Sequence, residues 1–372
     1  MSKIKVGLLF GGKSGEHEVS IVSAASIYKA LDKEKYDISL IGIDKEGRWV
    51  LPNDAQLLAT TLDPRSINLN KEKNSISMAP YKFPSQFFKL SDAHHGMNVD
   101  VFFPVLHGTN GEDGTIQGLL ELTQIPYVGS GVLGSAVGMD KDIARRLLRD
   151  SKIPVVETLC FYKSEYLDNP EASIKMMIKK LGLPFFIKPA NAGSSVGVHK
   201  VKSKDDAFTK IADAFLFDSK ILAEEAINAR ELECAVLGND HPRASIIGEI
   251  VPRHEFYTYE AKYLDAQGAD LLIPAKDIST KLSKQLQDLS LQAFRCLELK
   301  GLARVDFLVD KDTQNVYLNE VNTLPGFTSI SMYPKLWEAS GLPYSQLLDE
   351  LIQLAIDHKK TKNSLKTTYD SL

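Results

Sequence analysis

Residues 185–200 read "FFIKPANAGSSVGVHK". An apolar strand runs out into Lys188, a turn of glycines and serines follows, and Val196 and Val198 resume an extended alternation. A lysine, two hydroxyls and a glycine loop between two strands suit a phosphate. Glycines let the backbone approach a ligand, and its N–H groups can then donate to phosphate oxygens. Ser194 and Ser195 add hydroxyl donors, and Lys188 adds a point charge. This is not a P-loop, because the lysine precedes the glycine turn instead of closing it. The same letters also describe a plain β-hairpin with a flexible turn, so the flanking sequence has to decide.

Upstream, "MDKDIARRLLRDSKIP" (139–154) predicts a helix capped by Asp140 and stopped by Pro154. Strand-like "VETLCFY", helical "EASIKMMIKKLG" and helical "DDAFTKIADAFLF" surround the loop. The N-terminal part alternates strand and helix: "KIKVGLLFGG", "EVSIVSAASIYKAL", "YDISLIGID", "VDVFFPVLHG", "TIQGLLELTQ". That alternation implies a parallel sheet, whose ligands sit outside the C-terminal strand ends. Gly11-Gly12 and His107-Gly108 fall there. Residues 45–99 are mixed and read as an excursion with few clear elements. Downstream, "KILAEEAI", "RELECAVLG", "ASIIGEIV", "ARVDFLVD" and "NVYLNEVN" predict strands of a third region, with helices over "KLSKQLQDLSLQAFRCLEL" and "PYSQLLDELIQLAIDHKK".

The 372 residues have room for about two or three domains. A formal charge of -4 gives no bulk argument for nucleic acid. Cys160, Cys234 and Cys296 lie far apart and form neither a disulfide framework nor a zinc motif, which predicts reduced thiols. The N-terminal "VGLLF" is strand length, not a signal-peptide core, and no run is long enough to span a membrane. The expectation is a cytoplasmic protein without membrane partners.

The second informative stretch is "GLARVDFLVDKDTQNVYLNEVNTLPG" (301–326). Arg304 and Asp306 alternate on one strand, and Glu320 and Asn322 on the next. If the strands pair, one face presents all four. Three oxygen-bearing side chains suit magnesium, which borrows further ligands from phosphates. A solvated hairpin face with salt bridges is the plainer alternative. Together with the lysine loop, this face suggests ATP chemistry on a small substrate in a cleft between domains.

At this point "GGKSGEHEVS", "LHGTNGEDGTIQGLLELTQIPYVGSG", "MDK", "IKPANAGSSVG", "EAKY", "ARVDF" and "NEVNTLPGFTSIS" occur in the order of a known family. The chain resembles the D-alanine–D-alanine ligases of the ATP-grasp superfamily. The resemblance implies an α/β fold: a Rossmann-like (preATP-grasp) N-terminal domain over 1–130, then a two-part ATP-grasp fold over 131–222 and 223–372, with a lid and a magnesium site in the last part. It implies ATP-dependent joining of two D-alanines through a D-alanyl phosphate, for peptidoglycan precursors of a bacterial cell wall. It also implies two magnesium ions, with manganese as a substitute, and a homodimer.

By the same resemblance, Glu16 anchors the ammonium of the first D-alanine; on spacing alone it is equally a first-turn acid of the following helix. His107 lies near that substrate's carboxylate, for charge stabilisation or orientation. Lys141 and Lys188 contact ATP phosphates, with Ser195 and Gly197 in the loop over them. Ser194 links with Glu16 and the lid residue Tyr263. Glu224 lies near the adenine amino group and Glu231 at the ribose. Arg304 stabilises the tetrahedral intermediate, and Asp306, Glu320 and Asn322 are the magnesium ligands. Gly326 offers a backbone N–H to the reacting oxygen. Ser331 and Met332 lie where the second substrate binds; many members have leucine at the latter position. The nearest rival is a D-alanine–D-lactate ligase, which typically carries histidine in place of Tyr263. Another ATP-grasp carboxylate–amine ligase is the broader rival, opposed by "GEHEVS" and "EAKY".

Overall fold

The computed structural model describes residues 2–52, 69, 75–78, 87–89, 92–253 and 269–366. Its first unit is the expected parallel sheet. Strand β1 (Ile4–Gly11) leads through helix α1 (His17–Ala30) to β2 (Tyr36–Ile43), paired parallel from Ile4↔Tyr36 to Gly11↔Ile43. The edge strand β3 (Trp49–Val50) is antiparallel to β2. The excursion is more ordered than its sequence suggests: β4 (Ile76–Met78), β5 (Phe87–Lys89) and β6 (Asp92–Met97) form a separate antiparallel sheet. These strands are too short to show a period. Phe87 ties them down, packing edge-on to Phe102 at 5.8 Å and stacking on Trp49 at 6.3 Å. Strand β7 (Val101–Val105) then returns parallel to β1, giving the order β3-β2-β1-β7. The loops after β1 and β7 therefore emerge side by side at one end of the sheet, followed by helix α2 (Thr115–Leu122).

Helices α3 (Val132–Met139) and α4 (Lys141–Asp150) connect to the second unit. Asp140 caps α4, accepting from the amides of Asp142 and Ile143 at 3.1 Å, as expected. Strand β8 (Thr158–Tyr162), helices α5 (Lys163–Asp168) and α6 (Pro170–Leu181), strands β9 (Phe185–Pro189) and β10 (His199–Val201), helix α7 (Lys204–Ala214) and strand β11 (Lys220–Glu225) follow. Proline at N1 with Asn169 at the cap opens α6, and a Ser203–Asp206 capping box opens α7. The sheet order is β10-β9-β11-β8. Strand β11, read from sequence with the third region, thus lies inside the second sheet, with Leu222 opposite Lys188. Its run "KILAE" is buried on both faces, as a central strand must be, so no alternation marked where it belongs.

The third unit is an antiparallel sheet of β12 (Ala229–Gly238), β13 (Arg243–Pro252), β14 (Ala269–Leu272), β15 (Gly301–Asp310) and β16 (Val316–Asn322), ordered β14-β13-β12-β15-β16. Helix α8 (Thr280–Cys296) covers one face, while α9 (Met332–Ala339) and α10 (Tyr344–Asn363) cover the other. The core under α9 and α10 runs without a break into the first sheet: Phe103 of β7 packs edge-on to Phe327 at 6.0 Å, beside Ile21 of α1 and Leu351 of α10. The second sheet keeps a core of its own around Ile174, Phe185, Ile187 and Ile221.

Candidate active site

The first, second and third units enclose a cleft of about 720 Å³. It is lined by Glu16, His107, Lys141, Lys188, Ser194, Ser195, Glu224, Glu231, Arg304, Asp306, Glu320, Asn322, Gly326, Ser331 and Met332, which sequence reasoning drew from across the chain. Gly197 stands back from the wall: its φ is +68°, and an added Cβ would lie 2.9 Å from Pro189 Cγ. Tyr263, the expected lid partner of Ser194, lies outside the described residues.

Glu16 occupies the N-cap of α1 yet makes no capping bond with its side chain. Its carboxylate instead accepts from the Ser194 hydroxyl, across from the lysine loop. Two glycines make room for it. A Cβ on Gly108 would come within 2.5 Å of Glu16 Oε2, and one on Gly193 within 2.6 Å. The helix-start reading of this acid therefore gives way to a contact between the first and second units. Ser194 and Ser195 both adopt left-handed backbone, at φ +50° and +60°, which is uncommon for serine and marks a turn held by its surroundings.

The two lysines converge from different elements. Lys141, at the first turn of α4, donates to Ala192 O at 2.8 Å and lies 3.7 Å from Glu320 Oε2. Lys188, on β9, lies 2.5 Å from Glu224 Oε2. The other Glu224 oxygen is taken by Arg145. Burial pushes the Lys188 ammonium below the ordinary lysine range; the Glu224 carboxylate opposes that shift and the Arg145 charge adds to it. Burial works to raise the Glu224 carboxyl, but the two cations prevail and hold it below the usual carboxylate range.

Strands β15 and β16 pair in the register that unites the acidic face: Arg304 opposite Asn322, Asp306 opposite Glu320. Arg304 grips Asp306 with both Nε and Nη2 at 2.7 Å, while Asn322 Nδ2 donates to Asp306 Oδ2 at 2.9 Å. Arg304 Nε also lies 2.9 Å from Glu233 Oε2 on β12. Burial disfavours the charge on Arg304, yet Asp306 and Glu233 outweigh it and keep the guanidinium charged. Asp306, Glu320 and Asn322 are hard oxygen donors on one cleft-facing patch. Among the described residues no three His, Cys, Asp or Glu side chains gather to hold a metal by themselves. Two carboxylates and an amide are the sparse set that magnesium accepts when phosphates complete its shell.

His107 is buried, with Nδ1 3.0 Å from Leu324 O and Nε2 3.4 Å from Ser23 Oγ. Only an Nδ1–H can serve a carbonyl oxygen, so that ring nitrogen carries the proton. Burial lowers the imidazole below its ordinary value despite the pull of Glu16. The neutral ring favours orientation over charge stabilisation. Beside it, Glu112 accepts from the Gly108 amide at 2.8 Å and the Leu324 amide at 3.2 Å. Burial and then the Glu16 charge push its carboxyl up to about 8. At the far end Ser331 Oγ accepts from the Thr328 amide at 2.9 Å, and a Cβ on Gly326 would lie 2.8 Å from that hydroxyl. Met332 lines the cleft but is otherwise embedded in the core shared with the first sheet.

Three residues of this neighbourhood escaped the sequence reading. Glu112 lies inside the quoted "HGTNGEDG", where an acid among glycines was itself a signal. Glu233 is two residues from Glu231 on a strand, hence on the same face. Arg145 is one helical turn beyond Lys141.

Sequence profiles of the families described as D-ala D-ala ligase N-terminus and D-ala D-ala ligase C-terminus match residues 5–130 and 147–353. A protein named D-alanine--D-alanine ligase from Oceanobacillus iheyensis is 50% identical over 366 residues, covering 98% of this chain and 99% of that one. Among solved structures, the D-alanine-D-alanine ligase from Coxiella burnetii aligns with a TM-score of 0.84 at 39% identity, over 98% of this chain and 97% of that one. The VanG D-Ala:D-Ser ligase from Enterococcus faecalis aligns with a TM-score of 0.82 at 36% identity, over 95% and 100%.

Proposed function

The chain belongs to the D-alanine–D-alanine ligase family, and from that premise we infer that it is an ATP-dependent ligase that joins two D-alanines for peptidoglycan synthesis. The observation that carries the reading at atomic scale is the union in one cleft of Glu16, the two lysines and the Arg304–Asp306–Glu320 face.

A carboxylate is a poor acyl acceptor because it is anionic and lacks a leaving group. Phosphorylation removes both faults. We assign Glu16, steadied by Ser194, to the ammonium of the first D-alanine, and neutral His107 to orientation near its carboxylate. That carboxylate oxygen attacks the terminal phosphorus of ATP and ADP leaves. Lys141, Lys188 and the loop bearing Ser195 and Gly197 hold the phosphates, where cations aimed at transferring charge are most effective. Glu231 is assigned to the ribose. Glu224 is committed to Arg145 and Lys188, so adenine recognition near it falls to backbone groups of that strand end. Magnesium, or manganese in its place, would be held by Asp306, Glu320 and Asn322 and would neutralise phosphate charge. The second D-alanine sits by Ser331 and Met332. Its amine, entering as neutral –NH2, bonds through nitrogen to the acyl carbon; the tetrahedral centre beside Arg304 and the Gly326 amide then collapses, and the phosphate departs carrying the proton lost from nitrogen.

The family resemblance further supports a homodimer, which sedimentation would test, and a cytoplasmic setting. Among the described residues no helix is long and apolar enough to cross a membrane.

The decisive experiment supplies purified protein with ATP, magnesium and D-alanine, alone or with D-lactate or D-serine, and identifies the products by mass. D-alanyl-D-alanine with matching ADP is expected in every mixture. A depsipeptide or D-alanyl-D-serine as the main product would reassign the second site. ATP hydrolysis indifferent to D-alanine would remove the ligase reading.

A further inference from the structure

Arg145 is the largest fully buried side chain among the described residues. A guanidinium removed from water must be paid in contacts. Nη1 donates to Thr158 Oγ1 at 2.7 Å and to Glu224, and Nη2 donates to Asn319 O at 3.3 Å. Nε meets no acceptor, so the contacts are incomplete even there. The partners come from β8 and β11 of the second sheet and β16 of the third. The contact with β16 depends on an irregularity. Asp306 pairs with Glu320 and Phe307 with Leu318, leaving Asn319 as the extra residue of a bulge. Its carbonyl is turned to Arg145 while its neighbour Glu320 keeps to the cleft face. One turn earlier on α4, Lys141 lies 3.7 Å from that same Glu320. Two cations spaced i and i+4 on one helix thus touch consecutive residues of β16.

The charges at the cleft wall are also set from behind. Glu224 divides its two oxygens between Arg145 and Lys188. The trio carries one net positive charge, and Arg145 itself does not line the cleft. Without the arginine, both carboxylate oxygens would turn to Lys188 and cancel its charge.

We propose that Arg145 is a positioning residue for the nucleotide phosphates: it takes one of the two Glu224 oxygens, so that Lys188 shares that carboxylate and is not fully neutralised by it, and it fixes the ammonium relative to the Glu320 face through Asn319. The proposal rests on reading this cleft as the ATP site. Lysine cannot replace the arginine, because one ammonium cannot span Thr158, Glu224 and Asn319 in the planar fork that guanidinium offers.

The test is a charge rescue. Arg145→Met, Arg145→Lys and the double variant Arg145→Met/Glu224→Gln are compared with the unaltered protein for ADP binding by calorimetry and for KM of ATP and of D-alanine. Arg145→Met should weaken ADP binding and raise KM for ATP by roughly tenfold or more, the size of a lost charge-assisted contact. KM for D-alanine should move less than about twofold. Arg145→Lys should fall between. The double variant restores one net positive charge and should recover most of the ADP affinity, although it has lost more native contacts than the single variant. Equal or worse binding by the double variant would make Arg145 a structural brace only and overturn the proposal. So would an unchanged KM for ATP in Arg145→Met. If Arg145→Met does not fold, Arg145→Lys and the double variant decide on the same criteria. Absence of ADP binding by the unaltered protein would instead bring down the ATP-site reading, and this proposal with it.

Discussion

Glu16 and the glycines around it show how narrow the tolerances are at single residues. Gly193→Ala places a methyl 2.6 Å from Glu16 Oε2, and that carboxylate is already engaged by Ser194. We expect a raised KM for the first D-alanine with ATP binding intact, and a stability change within about 1 kcal/mol because the site is a loop at the cleft edge. Steady-state kinetics and urea unfolding separate the two effects. Glu112 gives a pH signature. Its carboxyl is raised from 4.5 to about 8 in the folded protein, so the folded state holds a proton that the unfolded chain releases earlier. The associated stability is fully present below the unfolded value and is lost as pH rises through about 8. Glu112→Gln keeps the shape without the ionisation. The unaltered protein should therefore lose more stability than the variant between roughly pH 6 and pH 9, read from urea midpoints. His107 works in the opposite sense. Its folded value is depressed, so its contribution is present above about 6.5 and is lost as pH falls through the lower folded value. His107→Asn should flatten that acid-side loss.

Among the elements, the hairpin of β15 and β16 was the most legible. Alternation put Arg304 with Asp306 and Glu320 with Asn322, and the pairing sets those couples face to face. The bulge at Asn319 left no trace in the letters, because an extra residue breaks a period only after the register is known. The parallel first sheet was legible from its strand–helix alternation. The place of β11 was not, since a wholly buried strand carries no polar face to orient it. At the site, most residues on the cleft wall were found through resemblance and spacing, while Glu112 and Glu233 on that wall and Arg145 behind it were not. A buried support is specified by packing in three dimensions, which one sequence does not display. Helix α10 offers a simple energetic test. Leu347, Leu348 and Leu351 are completely buried where α10 meets both the third and the first sheet. Leu351→Ala should cost about 2–5 kcal/mol in urea unfolding. KM values should stay unchanged wherever the protein remains folded.

At the scale of the molecule, the cleft is built on an asymmetric frame. The first and third sheets share one apolar core, so Glu16, His107, Arg304 and Gly326 are fixed with respect to one another. The second sheet, with Lys188 and the serine loop, has a separate core; Ser194 reaches Glu16 of the first unit, and helix α4, whose Ala144 and Leu148 sit in the core of the third sheet, reaches the second unit through Lys141 to Ala192 O and Arg145 to Thr158 and Glu224. Polar seams reform with little loss when water replaces a partner, whereas an apolar seam does not. The second sheet is therefore the part able to swing, and nucleotide in the proposed site along the seam would draw it shut. Small-angle scattering with and without ADP and magnesium should register a decrease in radius of gyration, and an unchanged radius would argue for a preformed closed cleft. The divided core also sets the order in which the protein comes apart. Its middle third can melt as a cooperative block while the rest stands, because little apolar surface outside that block depends on it. Native-state deuterium exchange should then find amides of β9 and β11 opening as one group at lower denaturant than those of β12 and β15, and bound nucleotide should close that gap. In the crowded, protease-rich cell, substrate supply would set the lifetime of the polypeptide as well as its turnover.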